Sequence, residues 1–186
     1  FYSPGLQIKY FSAPKASLQN TADGIKISWK KVAGAKCYKV YRKNGSGEWE
    51  LIKKTTALSF TDKKASKGKT YSYTIKACDD KYSSSYNHTG FSIKRLTEPS
   101  IIGVTSSKTG VTFKWGKVIG ADGYYVYKKE GNGSWKKIAT VKGNAKVSYC
   151  DKTAKKGKTY SYTVKAYSGT SCSSYKKNGV SIKDKY

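Results

Sequence analysis

Two clusters of lysine stand at matched places along the chain: Lys63, Lys64, Lys67 and Lys69, then Lys152, Lys155, Lys156 and Lys158. Each crowds a short loop just ahead of a tyrosine, Tyr71 or Tyr160. Ammonium groups at that density attract anionic polymers (teichoic acid, sulfated or sialylated glycans, DNA) through a field that salt screens. The plainer account is a solvated loop kept soluble by like charge. Trp49 and Trp135 form a second class of candidate, with Tyr41 and Tyr127 close by in sequence. Exposed aromatic faces can stack on sugar rings. The plainer role for such a tryptophan is to cover a sheet edge and pack on a lysine stem.

Catalysis has little to work with. His88 is the only histidine, and the chain holds 11 acidic residues. Asp62 and Asp151 recur just after a strand, where a turn-capping carboxylate is expected. Asp79-Asp80 suggests a cation site but has no counterpart later in the chain. No Ser-His-Asp or Cys-His arrangement repeats, and no glycine-rich phosphate loop follows a strand and opens a helix. Four cysteines, Cys37, Cys78, Cys150 and Cys172, include no C-x-x-C pair, so zinc and thioredoxin-type motifs are excluded at ordinary spacing. These residues predict no enzyme, no metal and no cofactor.

The charge is large and one-sided. The 186 residues carry a formal net charge of +26. Arg42 and Arg95 are the only arginines, so lysine supplies nearly all of it. Lysine is a hydrated point charge, whereas arginine offers the planar fork that reads bases in pairs of hydrogen bonds. Sequence-specific nucleic-acid recognition is therefore not expected. No run of about 18 apolar residues occurs, so no membrane span is expected either.

What must position these side chains is a repeat. GIKISWKKVAGAKCYKVYR at 24–42 matches GVTFKWGKVIGADGYYVYK at 110–128, an offset of 86. DKKASKGKTYSYTIKA at 62–77 matches DKTAKKGKTYSYTVKA at 151–166, an offset of 89. The second copy thus carries three extra residues, near Gly143–Lys146. Tyr86 and Gly90 match Tyr175 and Gly179. At the start, Gly5-Leu6-Gln7-Ile8-Lys9 resembles Gly90–Lys94 and Gly179–Lys183. Residues 1–11 are thus expected to be the last strand of a preceding repeat, and the chain a monomeric fragment of a longer array. Two domains follow, at 12–96 and 97–186. Both are basic throughout: 18 basic against 6 acidic residues in 12–95, and 17 against 4 in 98–183.

Within each copy, Ile25, Ile27 and Trp29, then Tyr38 and Val40, then Tyr71, Tyr73, Ile75 and Ala77 alternate with polar residues. Period two predicts strands with one buried and one wet face. Strands are expected near 14–20, 24–30, 37–43, 48–54, 58–62, 70–78 and 88–95. The second set falls near 99–106, 110–115, 123–129, 134–141, 147–151, 159–166 and 175–183. Asn44-Gly45 and Asn132-Gly133 are read as hairpin turns. Trp29 and Trp115 belong to the core.

A tryptophan in the second strand, a GA-x-x-Y-x-V-Y third strand and a later G-K-T-Y-x-Y resemble a fibronectin type III domain. Here these are Trp29, Gly34-Ala35, Tyr38, Val40, Tyr41 and Gly68–Tyr71, then Trp115, Gly120-Ala121, Tyr124, Val126, Tyr127 and Gly157–Tyr160. The style is similar to repeats in secreted and wall-bound proteins of Gram-positive bacteria. The resemblance implies an all-β fold of two tandem seven-stranded immunoglobulin-like sandwiches, end to end. It makes Tyr71 and Tyr160 the tyrosine-corner residues. It also makes Arg95–Glu98 a short linker and the pair a semi-rigid rod.

In that fold the strands of Cys37 and Cys78 are antiparallel neighbours. Both cysteines have the parity of the outward face, which leaves a cross-strand disulfide open. Cys150 and Cys172 are expected as free thiols near opposite poles. The functional expectation is an extracellular, secreted or wall-associated spacer or adhesive module. The alternatives are a dedicated binder of host glycoprotein, mucin, immunoglobulin or anionic polymer, and a carbohydrate-binding accessory module of a glycoside hydrolase.

Overall fold

A computed structural model describes residues 11–186. The strand read at the start of the chain lies, apart from Phe11, outside the described residues. In the first copy the strands are β1 (Ala16–Asn20), β2 (Ile25–Trp29), β3 (Cys37–Asn44), β4 (Glu50–Thr55), β5 (Ser59–Asp62), β6 (Thr70–Cys78) and β7 (Phe91–Lys94). In the second they are β8 (Ile101–Ser107), β9 (Gly110–Trp115), β10 (Gly123–Glu130), β11 (Lys136–Lys142), β12 (Ser148–Asp151), β13 (Thr159–Ser168), β14 (Ser171–Cys172) and β15 (Val180–Lys183). No helix occurs among the described residues that is long and apolar enough to cross a membrane.

Each copy folds into two sheets. The first pairs β1-β2-β5 in one and β4-β3-β6-β7 in the other. The second repeats the plan with β12-β9-β8 and with β11-β10-β13, to which β14 and β15 both add along β13. Two sheets whose strands alternate polar and apolar residues can hide the apolar set only by facing each other. The all-β sandwich expected for each copy is what the chain adopts.

The chain divides into two compact units. One holds residues 11–18, Lys26–Asp62 and Thr70–Ile93; the other holds Gln19–Ile25, Lys63–Lys69 and Lys94–Tyr186. In the first unit Ile27, Val40, Tyr73, Ile75 and Ala77 have no exposed surface. In the second, Val111, Phe113, Trp115, Tyr124, Val126 and Tyr162 are equally hidden, joined by Leu96. Trp29 packs on Tyr38 at 5.5 Å and Trp115 on Tyr124 at 5.3 Å between ring centroids. The tyrosine hydroxyls accept the N–H of Val32 and of Val118 (2.9 and 3.0 Å), which fixes the loop leading into the third strand. Residues 95–98 are not a plain tether. Arg95 is buried and donates to the carbonyls of Thr21, Ala22 and Leu96.

Buried carboxylates were expected only as turn caps, and the structure gives them a larger task. Asp62 ends β5 and Asp151 ends β12, both almost wholly buried. Tyr73 on β6 donates its hydroxyl to Asp62 at 2.8 Å, and Tyr162 on β13 does the same to Asp151 at 2.8 Å. A cation completes each set: Arg42 to Asp62 at 3.1 Å and Lys128 to Asp151 at 2.7 Å. Asp151 also caps its turn, accepting the N–H and hydroxyl of Thr153. A charge taken out of water survives only with donors in place, and these donors come from the opposite sheet. The tyrosine-corner expectation holds for Tyr160, whose hydroxyl accepts the N–H of Lys155 at 3.3 Å.

Three local expectations need correction. Asn132-Gly133 is not the turning pair. The turns run 44–47 and 130–133, closed by Gly47 N–H to Asn44 and Gly133 N–H to Glu130. Positive φ falls on Gly45 (59°) and Gly131 (50°), and among the described residues none other than glycine has positive φ. Glycine at the first central position is the type II′ pattern, which asks nothing of the asparagine. Second, the strand expected at 175–183 begins only at Val180. Ser173 and its counterpart Ser84 accept, through their hydroxyls, the N–H groups of Ala166 and Ala77, and donate their own N–H to the same residues' carbonyls. The side chain takes a ladder position, and the regular strand resumes only at Val180 and at Phe91. Third, Cys78 is buried rather than outward, its sulfur bonded to Cys37 and its backbone bridged to Ser83.

Cys37 and Cys78 face each other across β3 and β6 and are disulfide-bonded, with Cα atoms 5.0 Å apart. Cys150 and Cys172 are free and half-buried.

Burial pushes the Tyr73 and Tyr162 phenols up, and the adjacent carboxylates push them further. Burial alone would raise Asp151, but Lys128, Thr153 and Tyr162 together outweigh it and hold its carboxyl below the ordinary range. The signs follow from linkage. The folded phenols bind their protons more tightly than the unfolded ones, so their contribution is intact below about pH 10 and is lost as pH rises beyond it. The folded Asp151 binds its proton less tightly, so its contribution is intact above about pH 4 and is lost on further acidification. Tyr162→Phe should destabilise the second unit by about 1–3 kcal/mol, since it leaves a buried acceptor short of a donor. It should also flatten the alkaline limb of a melting-temperature profile; an unchanged limb would count against the clasp. Cys37→Ser with Cys78→Ser should lower the stability of the first unit by about 2–4 kcal/mol. Calorimetry would show this as a shift confined to one of two transitions.

Candidate functional site

The candidate aromatics come together on the outer face of the larger sheet in each copy. Alternation along β3 and β10 buries Val40 and Val126 and turns Tyr41 and Tyr127 outward. Beside them the facing strands each carry an extra residue, Ile52 on β4 and Ile138 on β11. In the first copy Tyr41 stacks with Tyr86 at 6.4 Å and Trp49 meets Tyr86 edge-on at 6.3 Å. Lys76 brings its ammonium within 4.6 Å of the Tyr86 ring and 5.9 Å of Tyr41, while Lys43 lies 4.9 Å from Trp49. Tyr41, Trp49, Tyr86, Lys76 and Glu48 enclose a recess of about 260 Å³.

The second copy rebuilds the set. Tyr127 stacks with Tyr175 at 6.4 Å, Lys165 lies 4.7 Å from Tyr175 and 5.7 Å from Tyr127, and Lys129 lies 5.2 Å from Trp135. The tryptophan is seated by a glycine in both. A Cβ on Gly90 would come within 2.5 Å of Trp49, and one on Gly179 within 2.6 Å of Trp135. Both glycines also have positive φ. Trp49 and Trp135 are therefore half-buried and fixed, neither loose on the surface nor lost in the core. Burial pushes the Tyr127 phenol up, so its hydroxyl stays protonated, able to donate and accept. Rings, hydroxyls and an ammonium around one hollow can take the C–H faces and the hydroxyls of a sugar together.

The second copy adds a further pair. Tyr125 and Tyr167 stack at 4.4 Å with planes 13° apart, and the Lys137 ammonium caps Tyr125 at 3.9 Å. Tyr167 lies against Gly123, its cross-strand partner.

The lysine loops behave differently from the aromatics. Lys63, Lys64, Lys67 and Lys69 are all exposed, as are Lys152, Lys155, Lys156 and Lys158. Of the second four, only Lys155 and Lys158 line a common groove, together with Lys128, Lys129 and Lys136. Lys152 and Lys156 lie outside it. His88 is exposed and rests on Tyr86 at 4.3 Å. Asp80 pairs with Lys36, while Asp79 accepts N–H groups of its own turn. Among the described residues no group of three or more His, Cys, Asp or Glu side chains could hold a metal ion.

Tyr86, Tyr175, Lys76, Lys165, Gly90 and Gly179 were not read as site residues from the sequence. The repeat did mark Tyr86–Tyr175 and Gly90–Gly179 as matched pairs. What it did not show was that they meet Tyr41 and Trp49 from another strand.

The two-sheet pairing, seven strands in the first copy and the same plan with the short β14 added in the second, decides the class. The fold is fibronectin type III-like. Residues 10–90 match the family of GH85 endohexosaminidases, C-terminal domain. No curated protein sequence matches the chain. Among solved structures, a two fibronectin type-III domain segment of chicken tenascin is 17% identical over 92% of this chain and 98% of its own, with a TM-score of 0.40. The chicken interferon gamma receptor alpha chain is 14% identical over 94% of this chain and 98% of its own, with a TM-score of 0.46. An Fn3-like protein from Clostridium thermocellum is 22% identical over 42% of this chain and 86% of its own, with a TM-score of 0.39.

Gly179→Ala should displace Trp135, because the new methyl meets both the indole and the Tyr162 carbonyl at a φ of 64°. The expected outcome is a loss of about 1–3 kcal/mol in the second unit and a red-shifted tryptophan emission. Unchanged emission would show that the glycine does not seat the ring.

Proposed function

We propose that the chain is a non-catalytic pair of fibronectin type III-like accessory modules from a secreted or wall-associated protein of a Gram-positive bacterium. The modules space the neighbouring parts of a longer chain and contact glycan through the two aromatic sets. The observation that carries this reading is the duplicated aromatic set. Tyr41, Trp49, Tyr86, Lys76 and Gly90 recur as Tyr127, Trp135, Tyr175, Lys165 and Gly179 with near-equal ring distances. Outer-face positions of a sandwich have no packing reason to keep five matched side chains, whereas a shared ligand gives one. The match of residues 10–90 to a domain of endohexosaminidases supports hexosamine-containing oligosaccharides as the class to try first.

A purely mechanical role is the second reading. It is supported by the tandem repeat and the short connection from Arg95 to Glu98. An adhesive role toward host glycoprotein or mucin would use the same face, since both present glycans.

Calorimetric or NMR titration with chito-oligosaccharides and with an N-glycan core separates these readings. Weak, two-site binding is expected at the two aromatic sets. Trp49→Ala and Trp135→Ala should each remove one site, as should Tyr86→Ala and Tyr175→Ala. Absence of binding by the intact chain to either glycan would leave the spacer role alone standing.

A further inference from the structure

The second copy carries a groove whose lining differs in charge from the matched positions of the first. It measures about 600 Å³ and lies between the end of the β10–β11 hairpin and the loop from β12 to β13. Five lysines line it (Lys128, Lys129, Lys136, Lys155 and Lys158) against a single carboxylate, Glu130. Lys128 is held by Asp151, and Lys158 makes an exposed pair with Glu130 at 3.2 Å, a contact of little strength in water. Lys129, Lys136 and Lys155 have no carboxylate partner among the described residues.

The first copy is an internal control. At the matched positions it has Glu48 for Ser134, Glu50 for Lys136 and Ser66 for Lys155. Glu50 pairs with Arg42 at 2.8 Å, closing off the cation that corresponds to Lys128. Across the groove lining these three exchanges add positive charge while Glu130 for Asn44 and Thr153 for Lys64 remove some, which leaves the second copy more positive there by two charges.

We propose that this groove binds a polysaccharide bearing sulfate or phosphate esters. Three ammonium groups without a carboxylate partner around one hollow suit a multiply charged ester anion, for which lysine acts as a point charge. Ile138 lines the same groove and offers C–H contact to the sugar between the charges. The groove adjoins the second aromatic set and shares Lys129 with it, since that ammonium also lies over Trp135.

The test uses the whole chain and three probes: a heparin oligosaccharide, a poly(ribitol phosphate) and duplex DNA of equal charge, each titrated at several salt concentrations. Heparin or the phosphate polymer should bind more tightly than DNA, and their order tells which ester the groove takes. Ser134→Glu with Lys136→Glu installs side chains that the first copy already accommodates, so folding is expected to survive and is checked by melting. This variant should weaken polysaccharide binding roughly tenfold and reduce the salt slope by about one. Lys152→Glu with Lys156→Gln removes the same charge outside the groove and should cost far less. Equal losses from the two variants would overturn the groove as a site, leaving only diffuse attraction. DNA binding as tight as that of either polysaccharide would overturn the choice of ligand.

Discussion

A carboxylate sealed between two sheets is the feature around which each sandwich is organised. Asp62 and Asp151 end the fifth strand of their copies, and the groups that satisfy them sit on the third and sixth strands, in the facing sheet. Hydrophobic burial is non-directional and tolerates sliding of one sheet over the other. A buried anion does not, since a slip of one residue would strand it without donors. The apolar pairs Trp29–Tyr38 and Trp115–Tyr124 fill the interior, and the clasp sets the register in which they fill it. The same constraint places the outer face. With β3 and β6 locked to β5, the outward residues of β3 are held where Tyr86 can reach Tyr41.

The duplication separates what the fold demands from what each copy has added. The clasp recurs with arginine exchanged for lysine, so the requirement is a cation and not a particular fork. The cross-strand position Cys37–Cys78 recurs as Gly123–Tyr167. One copy closes that pair with a covalent bond, and the other lays a tyrosine ring over a glycine and stacks Tyr125 upon it. Both cover the same stretch of backbone. The disulfide is therefore a local device of the first copy, added to a sandwich that holds without it in the second.

Much of this was legible in the sequence, and for a definite reason. Period-two alternation at Tyr71–Ala77 and Tyr160–Ala166 reports directly on one buried face, and the repeat supplied two readings of every strand. The parity argument failed at Cys78 because alternation describes a regular strand, while Cys78 ends β6 at the disulfide and beside the turn that brings Ser83 back. The turn reading failed at Asn132-Gly133 because a dipeptide signal does not say which glycine carries the positive φ. The aromatic recess was half visible. Tyr41, Trp49 and their counterparts stood out by type, but Lys76 reaches them only through the pairing of β3 with β6, and Tyr86 only through the loop that follows β6. The lysine loops misled in the opposite way. The four lysines of the second loop divide in space, because the groove is completed by Lys128, Lys129 and Lys136 from a hairpin that showed no cluster.

On a chain with a formal net charge of +26, the placement of the 11 acidic residues decides where the positive field is felt. Lysines are almost everywhere, so adding one changes little locally. In the first copy Glu48, Glu50 and Asp62 gather at the end of the β3–β4 hairpin, and two of them bind Arg42 directly. In the second, Ser134 and Lys136 replace those two glutamates, Asp151 is kept and Glu130 stands where the first copy has Asn44, both carboxylates paired to a lysine. A polyanion feels a broad attraction from both copies, screened within roughly 10 Å at ordinary salt. Inside that distance it meets compensated charge at one hairpin and uncompensated charge at the other. Selectivity on such a surface thus arises by withdrawing carboxylates from one place, which leaves the sandwich, its clasp and its aromatic face untouched.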